Sequence, residues 1–357
     1  MLNHEIELAV DSRKTYRIRS ERIGTAEDAA QVFEMVFHLG SRTQESFFAL
    51  FLDKDNAILG VAELARGDDH HCIAAPMLVL QRAILLGAVR VIVAHTHPSG
   101  GGLRPSKQDW KATFAVARAC HRLGIQLLDH LILSHSMFVS LVDLMKAHRE
   151  DVTVKMHDIV CHRARIIAAP AAGEGVLAEL PVVSVRLLRG RTEVEAPSFL
   201  RSPREAASAF QSVFHLDDAA SEDDRLCVFF LDCQDAVIGK AEIRQISRFR
   251  GKDLARIVYC AAILHNADGI SVAEREAAHL SYPQELNHGF LQILNMGNVL
   301  GIHSRDYFLF GTGEYASLMH LVCITKKKGN GASPAEIFQT LRRPTTEMEH
   351  KLRRRLP

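Results

Sequence analysis

The sequence lacks the features that place a chain in a membrane or in a secretory route. No apolar run approaches the roughly 18 residues that a membrane-spanning helix needs. The first residues, Met1 to Glu5, carry an acid early and lack the basic-then-apolar order of a signal peptide. We therefore expect a cytoplasmic protein that has no membrane partner.

An excess of one charge is also missing. The 357 residues hold 43 Lys and Arg against 42 Asp and Glu, a formal net charge of +1. This balance excludes a global attraction to nucleic acid or to an anionic membrane. With one Trp and five Tyr in the chain, no basic aromatic surface typical of nucleic-acid binders is visible. The length and a hydrophobic content of 47% predict a globular protein of two domains.

Paired cysteines are missing as well. The cysteines are spread along the chain, contain no Cys-x-x-Cys pair and lie mostly in apolar segments. We expect reduced core cysteines rather than disulfides or a second metal site. The set is Cys72, Cys120, Cys161, Cys227, Cys233, Cys260 and Cys323.

One compact group of polar residues follows a predicted buried strand at 89–94. His95 and His97 are two positions apart at the end of that strand, so their side chains project to one side. A glycine-rich loop at 100–102 lets the chain fold back and bring Asp109 toward them. Two neutral imidazoles and one carboxylate leave the fourth position of a tetrahedral zinc ion open, as catalytic zinc requires. The pattern predicts a hydrolytic metal site.

The same residues have a simpler interpretation. Ser106 and Asp109 also fit a helix capping box, in which the serine caps the first N–H groups and the acid reaches back. A His-x-His pair by itself is a weak signal. The two roles are compatible, because the positive end of a helix dipole favours a carboxylate at that place.

The motifs together resemble RadC-like members of the JAB/JAMM (MPN-type) metalloprotease superfamily over residues 45–141. Eight residues separate His97 from Ser106, one more than the usual family spacing. The matching pieces are Glu45, Asp53, Gly67, His95-Thr96-His97-Pro98-Ser99-Gly100, Ser106 with Asp109, Leu128-Asp129-His130 and Phe138-Val139-Ser140.

The resemblance implies a role for each matching residue. His95, His97 and Asp109 would hold Zn²⁺, Glu45 would act as the general base, and Ser106 would donate a hydrogen bond to the oxyanion. Taken by itself, Glu45 also fits a solvated residue at a strand entrance. The Asp129-His130 pair would help to orient the ligating histidines.

The implied fold is α/β (α+β), a JAB/MPN-like, cytidine-deaminase-like domain with a mixed central sheet flanked by helices. Within residues 1–145 we predict helices near 26–39, 76–88 and 106–122. We predict strands near 46–53, 57–64, 90–95, 126–133 and 137–141.

The chain also repeats itself, which predicts two tandem copies of one domain. We expect a metal-containing domain at 1–145, a linker at 146–181, a degenerate repeat at 182–325 and a basic tail at 326–357. The tail holds nine Lys and Arg against three Glu. The matching segments are 25–39 with 202–216, 51–63 with 230–242, 123–125 with 300–302, and 139–141 with 316–318.

The second copy lacks the metal motif. Val272-Ala273-Glu274-Arg275-Glu276 stands where the strand-end histidines would be, and Pro283-Gln284-Glu285-Leu286 replaces the Ser-x-x-Asp region. Asp224 occupies the position of Glu45, and Asp306-Tyr307 replaces Asp129-His130. We interpret His279 and His288 as surface or packing residues, because they lack the spacing of a ligand pair.

Three functional hypotheses follow. The first is a zinc-dependent hydrolase of a peptide or isopeptide bond, whose substrate is a protein or peptide such as a ubiquitin-like tail. The alternative, from another class, is a DNA-repair-associated or nucleic-acid-binding RadC-like factor that contacts nucleic acid through the basic tail. A third, compatible with the first, makes the degenerate repeat a pseudo-enzyme scaffold. The oligomeric state is not predicted, and His70-His71 is assigned to an exposed loop.

Overall fold

The chain forms two compact units in the computed structural model. One comprises Glu7–Arg186, and the other comprises Leu187–Pro357 together with Met1–Ile6. The division at 186–187 lies five residues beyond the expected start of a second domain at 182. The residues that the structure describes are 3–39, 44–67, 76–97, 102–134, 136–150, 156–170, 173–190, 199–216, 225–275, 288–311, 313–319 and 343–344.

The first sheet has eight strands in the order β1-β8-β3-β2-β4-β5-β6-β7. Strand β2 is antiparallel to both β3 and β4, β4 is parallel to β5, and β5 is antiparallel to β6. The strands are β1 (Asn3–Ile18), β2 (Ser46–Leu52), β3 (Ile58–Arg66), β4 (Arg90–Thr96), β5 (Gln126–Ser134), β6 (Met137–Ser140), β7 (Arg165–Ile166) and β8 (Val176–Gly190). The helices are α1 (Ala26–Phe37), α2 (Pro76–Leu86), α3 (Lys107–Arg122), α4 (Leu141–Glu150) and α5 (Met156–Arg163).

The second sheet has six strands in the order β10-β9-β11-β12-β13-β14. Its first five strands repeat the order and directions of β3-β2-β4-β5-β6, including the one parallel pair, β11 with β12. Two mixed sheets flanked by helices confirm the expected fold class. The strands are β9 (Arg225–Leu231), β10 (Val237–Arg244), β11 (Gly269–Arg275), β12 (His303–Gly311), β13 (Glu314–Ser317) and β14 (Arg343–Pro344), and the helices are α6 (Pro203–Phe214), α7 (Gly251–Leu264) and α8 (His288–Leu300).

Helices α1 and α6 begin and end in the same way. Thr25 and Ser202 cap them with side-chain oxygens that accept backbone N–H groups, as the sequence predicts. Both helices end at a histidine in the left-handed region, His38 with φ 51° and His215 with φ 53°. Each then covers its own sheet through a phenylalanine: Phe33 packs on Phe48, and Phe210 packs on Phe229. The matching segments 25–39 and 202–216 thus form the same helix-on-sheet layer in each unit.

The segment expected to be a linker, 146–181, differs from that expectation. It contains the second half of α4, all of α5 and β7, and the beginning of β8. Ala178 and Leu180 are buried in the same apolar core as Phe48. Arg165 forms ion pairs with Glu27 and Asp143 at 2.6 and 3.1 Å. Apolar burial and these ion pairs therefore make this segment part of the first unit.

Two expectations about missing features concern helices and cysteines. Among the described residues, no helix is both long and apolar enough to cross a membrane. Cys120 and Cys227 are buried free thiols, as expected of core cysteines, whereas Cys161 and Cys233 are exposed.

Candidate metal centre

The two histidines of the motif stand at the end of β4, which is buried from Val91 to Thr96. Strand β4 lies between β2 and β5, with His95 opposite Phe47 on one side and Ile132 on the other. His97 continues the pairing beyond the strand, because its backbone N–H donates to the carbonyl of Leu133 at 2.8 Å. Alternation along this strand directs both imidazoles to one side, which confirms the expected projection.

Helix α3 brings the carboxylate to the same place. Ser106 caps the helix, and its Oγ accepts the N–H groups of Gln108 and Asp109 at 3.1 Å each. Asp109 Oδ2 in turn accepts the N–H of Ser106 at 2.6 Å. The capping box is therefore present, and it fixes the side chain that would be a ligand. The same carboxylate faces His95 with its other oxygen, Oδ1, so the two interpretations of this motif coexist.

The three predicted ligands converge. His95 Nε2 lies 2.9 Å from His97 Nε2 and 3.2 Å from Asp109 Oδ1. His97 Nε2 is 3.8 Å from Asp109 Oδ2. Ligand atoms at about 2.0–2.1 Å from a tetrahedral zinc ion lie roughly 3.3 Å from one another. The spacing of these nitrogen and oxygen atoms fits a shared cation of this size.

Hydrogen bonds determine which ring nitrogens are free to bind a metal. The carbonyl of Gly102, a residue with φ +65°, lies 2.9 Å from His97 Nδ1, which must therefore carry the hydrogen. Burial, together with the neighbouring His95, lowers the pKa of His97, so the neutral ring has its lone pair on Nε2. That lone pair points toward the other two ligands.

A buried chain of hydrogen bonds fixes His95 in the same form. The hydroxyl of Thr113 donates to the carbonyl of Asp109 at 2.6 Å, so it accepts from His130 Nδ1, also at 2.6 Å. Burial lowers the pKa of His130, and the neutral ring offers Nε2 as an acceptor to His95 Nδ1 at 2.8 Å. In its neutral form His95 then also presents an Nε2 lone pair. Two acceptor nitrogens 2.9 Å apart beside a carboxylate repel one another unless a cation lies between them.

Asp109 is held as a carboxylate. Burial works to raise its pKa, but the interaction with His95 and the hydrogen bonds from Ser106 hold the pKa well below its usual range. An ionised carboxylate beside two neutral imidazoles is the donor set that a catalytic zinc site uses.

The Asp129-His130 pair separates into two roles. His130 contacts His95 directly and orients it, as expected. The Asp129 carboxylate instead accepts the backbone N–H groups of His130 and Val142, at 2.7 and 3.3 Å, and so holds the start of α4. Burial raises the pKa of Asp129 to about 6. Thr113 was missed by the sequence analysis, although its position one helical turn after Asp109 is a usable signal.

Glu45 is a neighbour of the cluster and not a member of it. It directly precedes β2, and its carbonyl accepts the N–H of Gly67 at 2.9 Å. The next residue, Ser46, donates its N–H to Thr96 Oγ at 2.9 Å, which joins this strand entrance to the segment between the two histidines. The charge of Glu45 acts on His97. The role of Glu45 as a general base stays a prediction.

The corresponding position of the second sheet holds different chemistry. Glu274 pairs with Leu226 in the register that joins His95 to Phe47. The Tyr307 hydroxyl donates to Glu274 Oε2, so a buried Glu–Tyr pair stands where the first sheet has His95 and His130. Asp306 accepts the Tyr307 N–H at 2.7 Å, as Asp129 does for His130. Within the described part of the chain, the His95, His97 and Asp109 group is the one set able to hold a metal.

Several predicted positions lie outside the described residues. In the first unit these are His70-His71 and the loop residues 98–101. In the second they are Asp224, Glu276, His279 and 283–286. The basic tail is outside them except for 343–344.

The family model of the RadC-like JAB domain matches residues 23–147. A UPF0758 protein of Streptococcus thermophilus is 36% identical over 146 residues, 41% of this chain and 61% of that protein. A UPF0758 protein of Carboxydothermus hydrogenoformans is 38% identical over 113 residues, 32% of this chain and 48% of that protein. One from Latilactobacillus sakei is 34% identical over 131 residues, 36% of this chain and 58% of that protein. The chain thus spans about half to three fifths of the length of these curated relatives. The matched region at 23–147, which contains the whole ligand cluster, is similar to the RadC-like JAB domain.

Proposed function

We propose that the first unit is a zinc-dependent hydrolase of an amide bond, either a peptide or an isopeptide bond. The observation that carries the proposal is the convergence of two imidazole lone pairs and an ionised carboxylate within 2.9 to 3.8 Å. His95, His97 and Asp109 would hold the ion. When bound, zinc supplies Lewis-acid activation of water and of the substrate carbonyl near neutral pH.

The other residues of the site handle the proton and the developing charge. Glu45 takes the proton of the attacking water and returns it to the leaving amine. The Ser106 oxygen accepts two backbone N–H groups, and neither bond uses its hydroxyl hydrogen. That hydrogen donates to the carbonyl oxygen as negative charge develops there.

The chain from His95 through His130 to Thr113 serves to keep the site preorganised. It joins one metal ligand, His95, to the backbone of another, Asp109. A fixed tautomer and ring orientation favour metal binding without a change of protonation.

The substrate we propose is a protein or peptide, with a ubiquitin-like tail as one example. We propose that the second unit is a degenerate copy of the first that acts as a scaffold. Its strand order and its Asp306 contact match those of the first unit, and a Glu–Tyr pair replaces the ligand histidine and its partner.

The function is tested by comparing Glu45→Gln and His97→Ala with the wild-type chain. We expect Glu45→Gln to keep its zinc and lose cleavage of a panel of peptides and ubiquitin-like fusions. We expect His97→Ala to lose both. Metal content is measured by atomic emission and cleavage by mass spectrometry. Cleavage by Glu45→Gln at the wild-type rate contradicts the assigned role of that residue.

The alternative is a DNA-repair-associated factor that binds nucleic acid through the basic tail at 326–357, where nine Lys and Arg stand against three Glu. Salt-dependent DNA binding that disappears when this tail is deleted supports it. Absence of DNA binding at low salt eliminates it.

A further inference from the structure

A cavity of about 160 Å³ lies in the second unit. It is bounded by the beginning of α6, by β11 and β12, and by the turn after β9. The polar residues in its wall are Arg201, Ser202, Asp235, Ser271, Arg305 and Asp306.

Ser271 points to an occupant of this cavity. The residue is 1% exposed, and its Oγ has no hydrogen-bond partner among the described residues. A buried hydroxyl without a partner costs about 1–3 kcal/mol. Few such groups occur in native proteins unless water or a ligand meets them.

The first unit shows that the fold does not require polar groups here. Ser271 pairs with Phe229 and Asp306, in the register that joins Ile92 to Leu50 and Asp129. Ile92 is buried in an apolar core, and Leu128, which precedes Asp129, packs against the same core. The second unit has Ser271 and Arg305 at these two positions, so its polar wall is specific to it.

The charges of the wall favour an anion. Arg305 Nε pairs with Asp235 Oδ1 at 2.6 Å, an ion pair that uses one of the five N–H donors of the guanidinium. The Arg201 guanidinium lies over the Phe199 ring at 4.3 Å, which holds a second cation at the cavity. The beginning of α6, a helix of 12 residues, adds the positive end of its dipole.

The acidic groups of the wall are already engaged. Asp235 is paired with Arg305. Both carboxylate oxygens of Asp306 lie 2.8 Å from Ser317 Oγ, and Oδ1 also accepts the Tyr307 N–H. Asp235 is thus matched by a cation and Asp306 by hydrogen-bond donors alone, so an anion is attracted by the arginines and the helix dipole.

We propose that this cavity binds a small oxyanion, a carboxylate or a phosphate, through the Ser271 hydroxyl and the terminal amino groups of Arg305. Planar and tetrahedral oxyanions are both good acceptors for a guanidinium. The site is independent of the metal centre, so its occupation does not depend on the function proposed for the first unit.

The test is calorimetric titration of the full-length chain, after treatment with a chelator, with inorganic phosphate and separately with acetate. Chloride at matched ionic strength provides the baseline. We expect saturable binding of one of the two anions below about 10 mM and a rise in melting temperature with its concentration. The anion that binds more tightly identifies the geometry of the natural ligand.

Two variants locate the binding. Ser271→Ala and Arg305→Gln are each expected to weaken binding roughly tenfold, the size of one charge-assisted hydrogen bond. Ser271→Ala removes an unpartnered hydroxyl, so it folds at least as well as the wild type. Arg248→Gln, an exposed arginine of the same unit, is the control and is expected to bind as the wild type does. Equal binding by Ser271→Ala and the wild type, or no binding of either anion above the chloride baseline, overturns the proposal.

Discussion

The two units compare most directly at the end of β4 and the end of β11. Both strands occupy the same place in the same strand order, and each carries a polar buried residue in the same register, His95 in one and Glu274 in the other. In the first unit His95 Nδ1 is hydrogen-bonded to His130, which leaves His95 Nε2 available to a metal. In the second, the Tyr307 hydroxyl bonds the Glu274 carboxylate directly.

The comparison separates the scaffold from the chemistry. Asp129 is half-buried and Asp306 is buried, and each accepts the backbone N–H of the residue that follows it. Burial raises the pKa of each to about 6. The scaffold thus keeps this carboxylate in both units, whereas the proposed metal site depends on His95 and His97 at the end of β4 and on Asp109 at the start of α3.

The largest effect is expected when the Glu–Tyr pair of the second unit is placed in the first unit. The double variant His95→Glu, His130→Tyr places in the first unit the residues that occupy the same register in the second. We expect a folded protein whose zinc affinity falls at least roughly a hundredfold, because a single histidine ligand remains. Competition with a chromophoric chelator measures the affinity, and circular dichroism verifies the fold. Wild-type affinity in this variant would show that His95 is not a ligand.

A smaller effect is expected from the second unit. Tyr307→Phe removes the hydroxyl that donates to Glu274, and leaves a buried carboxylate with one donor fewer. We expect a loss of about 1–3 kcal/mol in the free energy of unfolding, with zinc binding unchanged. Tyr259→Phe, whose hydroxyl bonds Ser304 at 2.9 Å, is the control, and should cost less because both partners are neutral. Denaturant unfolding measures both. An equal loss in the two variants contradicts a special role for the Glu–Tyr pair.

Asp306 is expected to make the stability of the protein depend on pH. Burial raises its pKa from the ordinary range of an aspartate to about 6, so the folded protein favours the protonated form. Its contribution is fully present below about pH 4 and is lost as the pH rises through about 6. We expect the wild type to lose at most about 3 kcal/mol over this range relative to Asp306→Asn. Identical pH profiles for the two proteins would contradict the raised pKa.

The smallest effect concerns the hydrogen-bond chain of the first unit. Thr113→Val removes the hydroxyl that accepts from His130 and donates to the Asp109 carbonyl. We expect zinc affinity to fall roughly tenfold, because the His95 tautomer is no longer held. Thr113→Ser restores the hydroxyl and should restore the affinity. A Thr113→Val protein that binds zinc as tightly as the wild type would show that this hydrogen-bond chain does not support the metal site.

Local patterns predicted the elements that surround the candidate site. Apolar alternation and a serine cap predict β4 and α3 to within one residue at most ends, because these signals are short-range in the sequence. The contact between His95 and His130 was harder to foresee, since it depends on the parallel pairing of β4 with β5 across 35 residues. The burial of Ala178 and Leu180 in the first core, which makes the expected linker part of that unit, depends on equally distant contacts.

The number of zinc ions bound per full-length chain tests whether His95, His97 and Asp109 form a zinc site. We expect one zinc ion per chain in the wild type, none in His97→Ala, and one in Glu274→Gln, because the three proposed ligands all lie in the first unit. A wild-type chain that binds no zinc at any metal concentration, or a Glu274→Gln chain that loses it, would contradict the account.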